Sequence, residues 1–109
     1  MNFTVTRESF EHLTSYWIDS SHGLKWGSIF VLPSWLEVWW RVFQPKSELY
    51  LAVVRQQSQI IGIAPLHWEG QTASFIGSPD VCDYQDFVIV PGKEADFFSV
   101  LLDDCLLYT

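Results

Sequence analysis

The sequence predicts an α+β domain: a mostly antiparallel sheet flanked by helices. Apolar residues recur at three- and four-residue spacing in three segments, around residues 10–18, 35–43 and 97–105, which is the period of a helix with one buried face. Apolar, β-prone runs at 49–54, 60–68 and 73–76 are joined by short polar turns, the pattern of strands that pair with their neighbours in sequence. Of the 109 residues, 49% are hydrophobic and 17% charged, which excludes disorder and gives one domain, spanning 1–109, enough apolar surface for a core.

The order of elements is strand, helix, helix, three meander strands, strand, helix. Phe3-Thr4-Val5 is short and β-prone. Thr6 or Ser9 then caps a helix carrying Phe10, Leu13, Tyr16, Trp17 and Ile18, since a Ser or Thr oxygen accepts from the free N–H groups of a first turn. Ser20-Ser21-His22-Gly23 stops it. Pro33 or Ser34 opens the second helix and Pro45 closes it, because proline suits a first turn and breaks an interior. In it Trp35, Trp39 and Phe43 repeat at intervals of four, and Glu37 and Arg41 form an i,i+4 pair on the wet face.

Leu49 to Val54, Ile60 to Trp68 and Ala73 to Ile76 form the meander, turning at 56–59 and 69–71. Pro65 cannot donate to a ladder and marks a bulge or an edge-facing position. Gly77-Ser78-Pro79-Asp80 breaks the pattern, Phe87-Val88-Ile89-Val90 is a fourth apolar strand of this part, and Pro91-Gly92 stops it. From Glu94 a helix presents Phe97, Phe98, Leu101, Leu102 and Cys105, with Asp103 and Asp104 opposing its dipole near the end.

Six Lys and Arg stand against 13 Asp and Glu, a formal charge of −7. That balance disfavours nucleic acid and anionic membrane surfaces, both of which need a basic footprint. There is no basic n-region with a long apolar run behind Met1, no 20-residue apolar span, and only Cys82 and Cys105 as thiols; the expectation is a cytoplasmic protein with reduced cysteines.

The densest polar constellation is Asp80, Asp83 and Asp86 around Tyr84. Carboxylates on one loop bind a cation or act as a base when neighbours raise a pKa, and Tyr84 offers a proton or a stacking face. Turn-capping aspartates facing water give the same sequence. Trp26 and Trp68 are platforms for a sugar or acyl chain, or core residues. His12, His22 and His67 lie far apart with no metal-ligand spacing to either cysteine, so no metal site is expected. No nucleophile elbow, phosphate-binding loop or dinucleotide fingerprint is present, and no catalytic residue is assigned.

Residues 33–40 (Pro-Ser-Trp-Leu-Glu-Val-Trp-Trp) with Phe43, then Ile61-Gly62-Ile63-Ala64-Pro65-Leu66, Phe75-Ile76-Gly77 and Asp83-Tyr84-Gln85-Asp86-Phe87 resemble the N-terminal half of a GNAT-fold acetyltransferase of the CelD type, a family linked to cellulose and exopolysaccharide biosynthesis. The resemblance spans most of residues 26–90. It implies a GNAT-like sheet, strand-helix-helix-strand-strand-strand-strand-helix, forming an incomplete domain that is half of a two-lobed transferase. The parent enzyme moves an acyl group from acetyl-CoA or another acyl-CoA to an amine or a sugar-related hydroxyl, which attacks the thioester directly. The second lobe grips the coenzyme, so no cofactor is expected on this half: at Gly77-Ser78-Pro79-Asp80, Pro79 removes an N–H donor and Asp80 brings negative charge where a pyrophosphate would sit. The resemblance draws attention to Asp83, Tyr84 and Asp86, a short motif the family repeats, without assigning them a role; with the Trp26 ring they are the candidate substrate-binding residues. The implied partners are the C-terminal GNAT-like half or a second copy, and a small-molecule or sugar acceptor. Two rival readings are a non-catalytic dimerisation module pairing through an open sheet edge and an aromatic-rich carbohydrate-binding domain.

Overall fold

The computed structural model describes residues 2–26, 32–43, 46–70, 72–76 and 87–108, with side chains through 104. Among the described residues the chain runs β1 (Phe3–Arg7), α1 (Phe10–Ile18), a 3-10 turn at Ser20–His22, α2 (Pro33–Phe43), β2 (Glu48–Gln56), β3 (Gln59–Glu69), β4 (Thr72–Phe75), β5 (Val88–Ile89) and α3 (Glu94–Tyr108). The sheet order is β1-β2-β3-β4, with β5 also on β3, and each of these pairings is antiparallel. β4 pairs with Leu66–Glu69 and β5 with Gly62 and Ile63. The two short strands therefore follow one another along the same edge of β3. This is the expected α+β class, an open antiparallel sheet with helices on its faces.

Local chemistry sets the element ends. Ser9 caps α1, its hydroxyl accepting the His12 N–H at 3.2 Å, and Asp19 accepts from the Ser21 N–H at 3.1 Å to begin the 3-10 turn. α2 starts at Pro33, where a missing donor costs nothing. Its Trp39 and Phe43 rings stack at 5.1 Å, and Arg41 bonds Glu37 at 2.7 Å on the outer side. A two-residue turn, Gln57-Ser58, joins β2 to β3, with Gln57 in the left-handed region at φ 58°.

Both faces of the sheet are covered, which is why β2 and β3 read as continuous apolar runs. One layer holds Leu13 of α1, Leu36 and Trp39 of α2, Leu51 and Val53 of β2, Ile60 and Ile63 of β3, Ile76 and Val88. The opposite layer holds Phe97 and Leu101 of α3 over Tyr50, Ala52, Val54, Ile61, Ala64, Leu66 and Trp68. α3 packs only part of its apolar residues. Phe97 and Leu101 point inward, while Phe98 and Leu102 are 38% and 63% exposed; one helix stripe is enough to cover a sheet this narrow.

The β2–β3 register shifts between Val54 and Arg55: Val54 pairs with Gly62 and Arg55 with Ile60, leaving Ile61 as the extra residue. At a bulge two successive residues share a face. Ile61 packs in the α3 layer, and a Cβ on Gly62 would point into the same layer, 2.2 Å from Phe97 Cδ1. Pro65 lies elsewhere, opposite Leu51. Its carbonyl accepts from the Ile76 N–H at 3.0 Å, and in an antiparallel ladder a residue's N and C=O face the same neighbour. The donor that proline lacks therefore falls between β4 and β5. Pro65 is thus not at the bulge, and it lies on an inner strand, between β2 and the β4–β5 side.

Candidate functional site

Two polar clusters lie on the face covered by α1 and α2, at opposite ends of β2. At one end Ser47, in the bend before β2, meets His67 of β3. The ladder sets Leu49 opposite His67, and the Ser47 Oγ to His67 Nδ1 distance is 2.7 Å. The last turns of α2 sit over the imidazole: the Trp40 ring is 5.9 Å away, edge-on, and the Trp39 ring 6.1 Å away, tilted. Burial lowers the imidazole below its usual 6.5, against a hydrogen bond to the Phe75 backbone and the Glu69 charge. At neutral pH the ring is uncharged, so one of its nitrogens is an acceptor. Ser47, His67 and Trp40 are half-buried and Phe43 is 50% exposed. The buried Trp39 Nε1 has no acceptor among the described residues, a condition that costs about 1–3 kcal/mol in a protein interior.

At the other end Arg55 leaves β2 toward α1. Its Nη1 donates to Glu8 Oε2 at 2.8 Å and to Thr6 Oγ1 at 2.9 Å, and its Nη2 donates to the Tyr16 hydroxyl at 3.0 Å. Tyr16 and Thr6 in turn donate to the Glu8 carboxylate, and His12 Nδ1 lies 3.3 Å from Glu8 Oε1. The Glu8 side chain is 8% exposed. Burial alone would raise its pKa, but the Thr6, Tyr16 and Arg55 contacts together hold it below the ordinary 4.5. Burial and Glu8 push the Tyr16 phenol up. For Arg55, burial works against the charge, and Glu8 and Tyr16 more than restore it. Both Glu8 oxygens are occupied from within the chain. This cluster ties α1 and β1 to β2 and leaves little capacity for a ligand.

Of the residues singled out from sequence, Trp26 is half-buried against the α1/α2 layer, and Trp68 is a core residue at 6% exposure in the α3 layer. Asp80, Asp83, Tyr84 and Asp86 lie outside the described residues. The three histidines do fall on separate elements, and no group of three metal-ligating side chains occurs among the described residues. His12 is taken up by Glu8 and His22 by Asp19 and the Tyr16 ring. Sequence reading missed both clusters. Ser47 and His67 are 20 residues apart and Glu8 and Arg55 are 47 apart, so the only available signal was a polar residue interrupting each apolar strand.

The turn before α3 does not fit a pyrophosphate. Pro91 has no N–H, the Gly92 N–H already donates to Glu94 Oε1 at 3.0 Å, and Glu94 and Asp96 put negative charge in the first helical turn. No helix among the described residues is long and apolar enough to cross a membrane. The chain matches no family model, no curated protein and no solved structure.

Proposed function

We propose that this chain is the acceptor-side lobe of an acyl-CoA-dependent transferase of the GNAT-like, CelD type, with a sugar-related hydroxyl or an amine as acceptor and the coenzyme held by another lobe. The observation that carries this reading is the layering. The helix pair inserted between β1 and β2 covers one face of an antiparallel sheet, and the helix following β5 covers the other, an α+β layering that supports the reading without being particular to it. The half-buried Trp40, the exposed Phe43 and the Ser47–His67 pair supply a stacking surface beside polar groups, the combination that suits a sugar ring. The test is a titration of the chain with acetyl-CoA and, separately, with amino-sugar and β-glucan oligosaccharides, followed by Trp fluorescence and calorimetry. Saturable oligosaccharide binding, weakened by Trp40→Ala, with no micromolar acetyl-CoA binding is expected. Micromolar acetyl-CoA binding, or indifference to every acceptor offered, contradicts the proposal.

A further inference from the structure

We propose that Ser47 and His67 form a nucleophile–base pair that takes an acyl group onto the Ser47 oxygen from an activated ester. The inference does not rest on the acyl-CoA reading, because it needs neither a coenzyme nor a second lobe. It rests on the geometry that defines such a pair: a hydroxyl within hydrogen-bond reach of an imidazole whose orientation is fixed by a further group. The 2.7 Å separation meets the first condition. The Trp39 and Trp40 rings packed at 6.1 and 5.9 Å from the imidazole meet the second.

The other histidines do not offer this arrangement. His12 faces a carboxylate and His22 faces Asp19, so each has an acid as its nearest polar partner. His67 faces a hydroxyl and is held neutral by burial. In the tautomer that carries its proton on Nε2, Nδ1 accepts the Ser47 O–H. A hydroxyl so held is a better nucleophile than a free serine, because its proton has a destination as the new bond forms.

Ser47 Oγ bonds to the carbonyl carbon of the ester while its proton passes to His67 Nδ1. The carbonyl re-forms, the bond from carbon to the leaving oxygen breaks, and the leaving group departs as an alkoxide or phenolate that takes up the proton given back by His67. The products are an O-acyl Ser47 and a free alcohol or phenol, with no change of oxidation state.

The probe is p-nitrophenyl acetate, with a fluorophosphonate as an independent serine label, applied to the intact folded chain. The expected result is a burst of about one p-nitrophenol per chain and an acetyl group located on Ser47 by peptide mass spectrometry. Ser47→Ala abolishes both labels, and His67→Gln slows acetylation by about 10²-fold or more. Far-UV circular dichroism and the melting temperature of each variant show whether it is folded. One readout needs no variant: the acetylation rate of the unaltered chain rises with pH to a plateau, with its half-point below 6.5, since His67 acts only when unprotonated. Labelling that survives Ser47→Ala, a rate indifferent to His67→Gln in a folded variant, or failure of both probes to label the folded chain overturns the proposal.

Discussion

Replacing Gly62 with alanine probes how the sheet meets α3. An added Cβ would lie 2.2, 2.5 and 2.9 Å from the Cδ1, Cε1 and Cγ atoms of Phe97, where ordinary contact begins near 3.4 Å. The ring must retreat by more than ~1 Å, and close-packed interiors give such a shift little room. Phe97 is fully buried and is hemmed by Phe87 and Phe98 at ring distances of 5.7 and 5.4 Å. Overpacking of this kind costs about 1–3 kcal/mol. With a urea m-value of about 1–3 kcal/mol/M for a domain this small, the unfolding midpoint of Gly62→Ala should fall by about 1 M with m unchanged. Phe97→Leu, itself destabilising by loss of ring contacts, should accept the new methyl. The double variant should therefore be more stable than the two single losses predict, with a coupling of about 0.5–3 kcal/mol. Strict additivity, or a Gly62→Ala midpoint equal to that of the parent, would refute the claim that ring and glycine touch.

Two further outcomes concern the Glu8–Arg55 cluster. The Glu8 carboxyl titrates below 4.5 when folded, so its stabilisation is fully present above the unfolded value and is lost as pH falls through the folded one; Glu8→Gln should flatten the acid limb of a stability–pH curve, and an unchanged limb counts against the assignment. Arg55→Met leaves a nearly buried carboxylate without its cation and should cost about 1–3 kcal/mol near neutral pH, read by thermal melts; a loss no larger than that of the exposed Arg41→Met would show that the pair is dispensable.

The elements were legible in the sequence because their signals are local. The Ser9 cap, the Pro33 start of α2, the stacked Trp39 and Phe43, and the polar turns between apolar runs each act within a few residues. What the sequence did not disclose depends on register. Gly62 in an apolar strand signals a bulge or a close approach, but Pro65 next to it offers the same message, and only the β2–β3 pairing shows that the bulge lies at Ile61. Ser47 and His67 carry no motif; they meet because an antiparallel hairpin brings its two open ends together. Likewise Arg55 looks like the last charged residue before a turn, and its role appears only when β1 and α1 deliver Thr6, Glu8 and Tyr16 to it.

The Ser47–His67 pair is a consequence of the bulge. Side chains on a strand alternate, so a single inserted residue sends everything beyond it to the other face. Ile60 packs in the α1/α2 layer. With strict alternation from Ile60, positions 62, 64 and 66 would follow it there and His67 would point at α3. Instead Ile61 and Gly62 both face α3, Ile63 returns to the α1/α2 layer, and His67 arrives beneath Trp39 and Trp40. The extra residue fits only because position 62 lacks a side chain under the Phe97 ring. A disturbance at Gly62 therefore reaches His67 along the strand, with no contact between the two residues. If Gly62→Ala is accommodated by sliding the register, acetyl capture at Ser47 should be lost along with stability; if Phe97 yields instead, stability falls and the Ser47–His67 distance is kept. Measuring both quantities on the same variant separates a rearranged strand from a displaced ring.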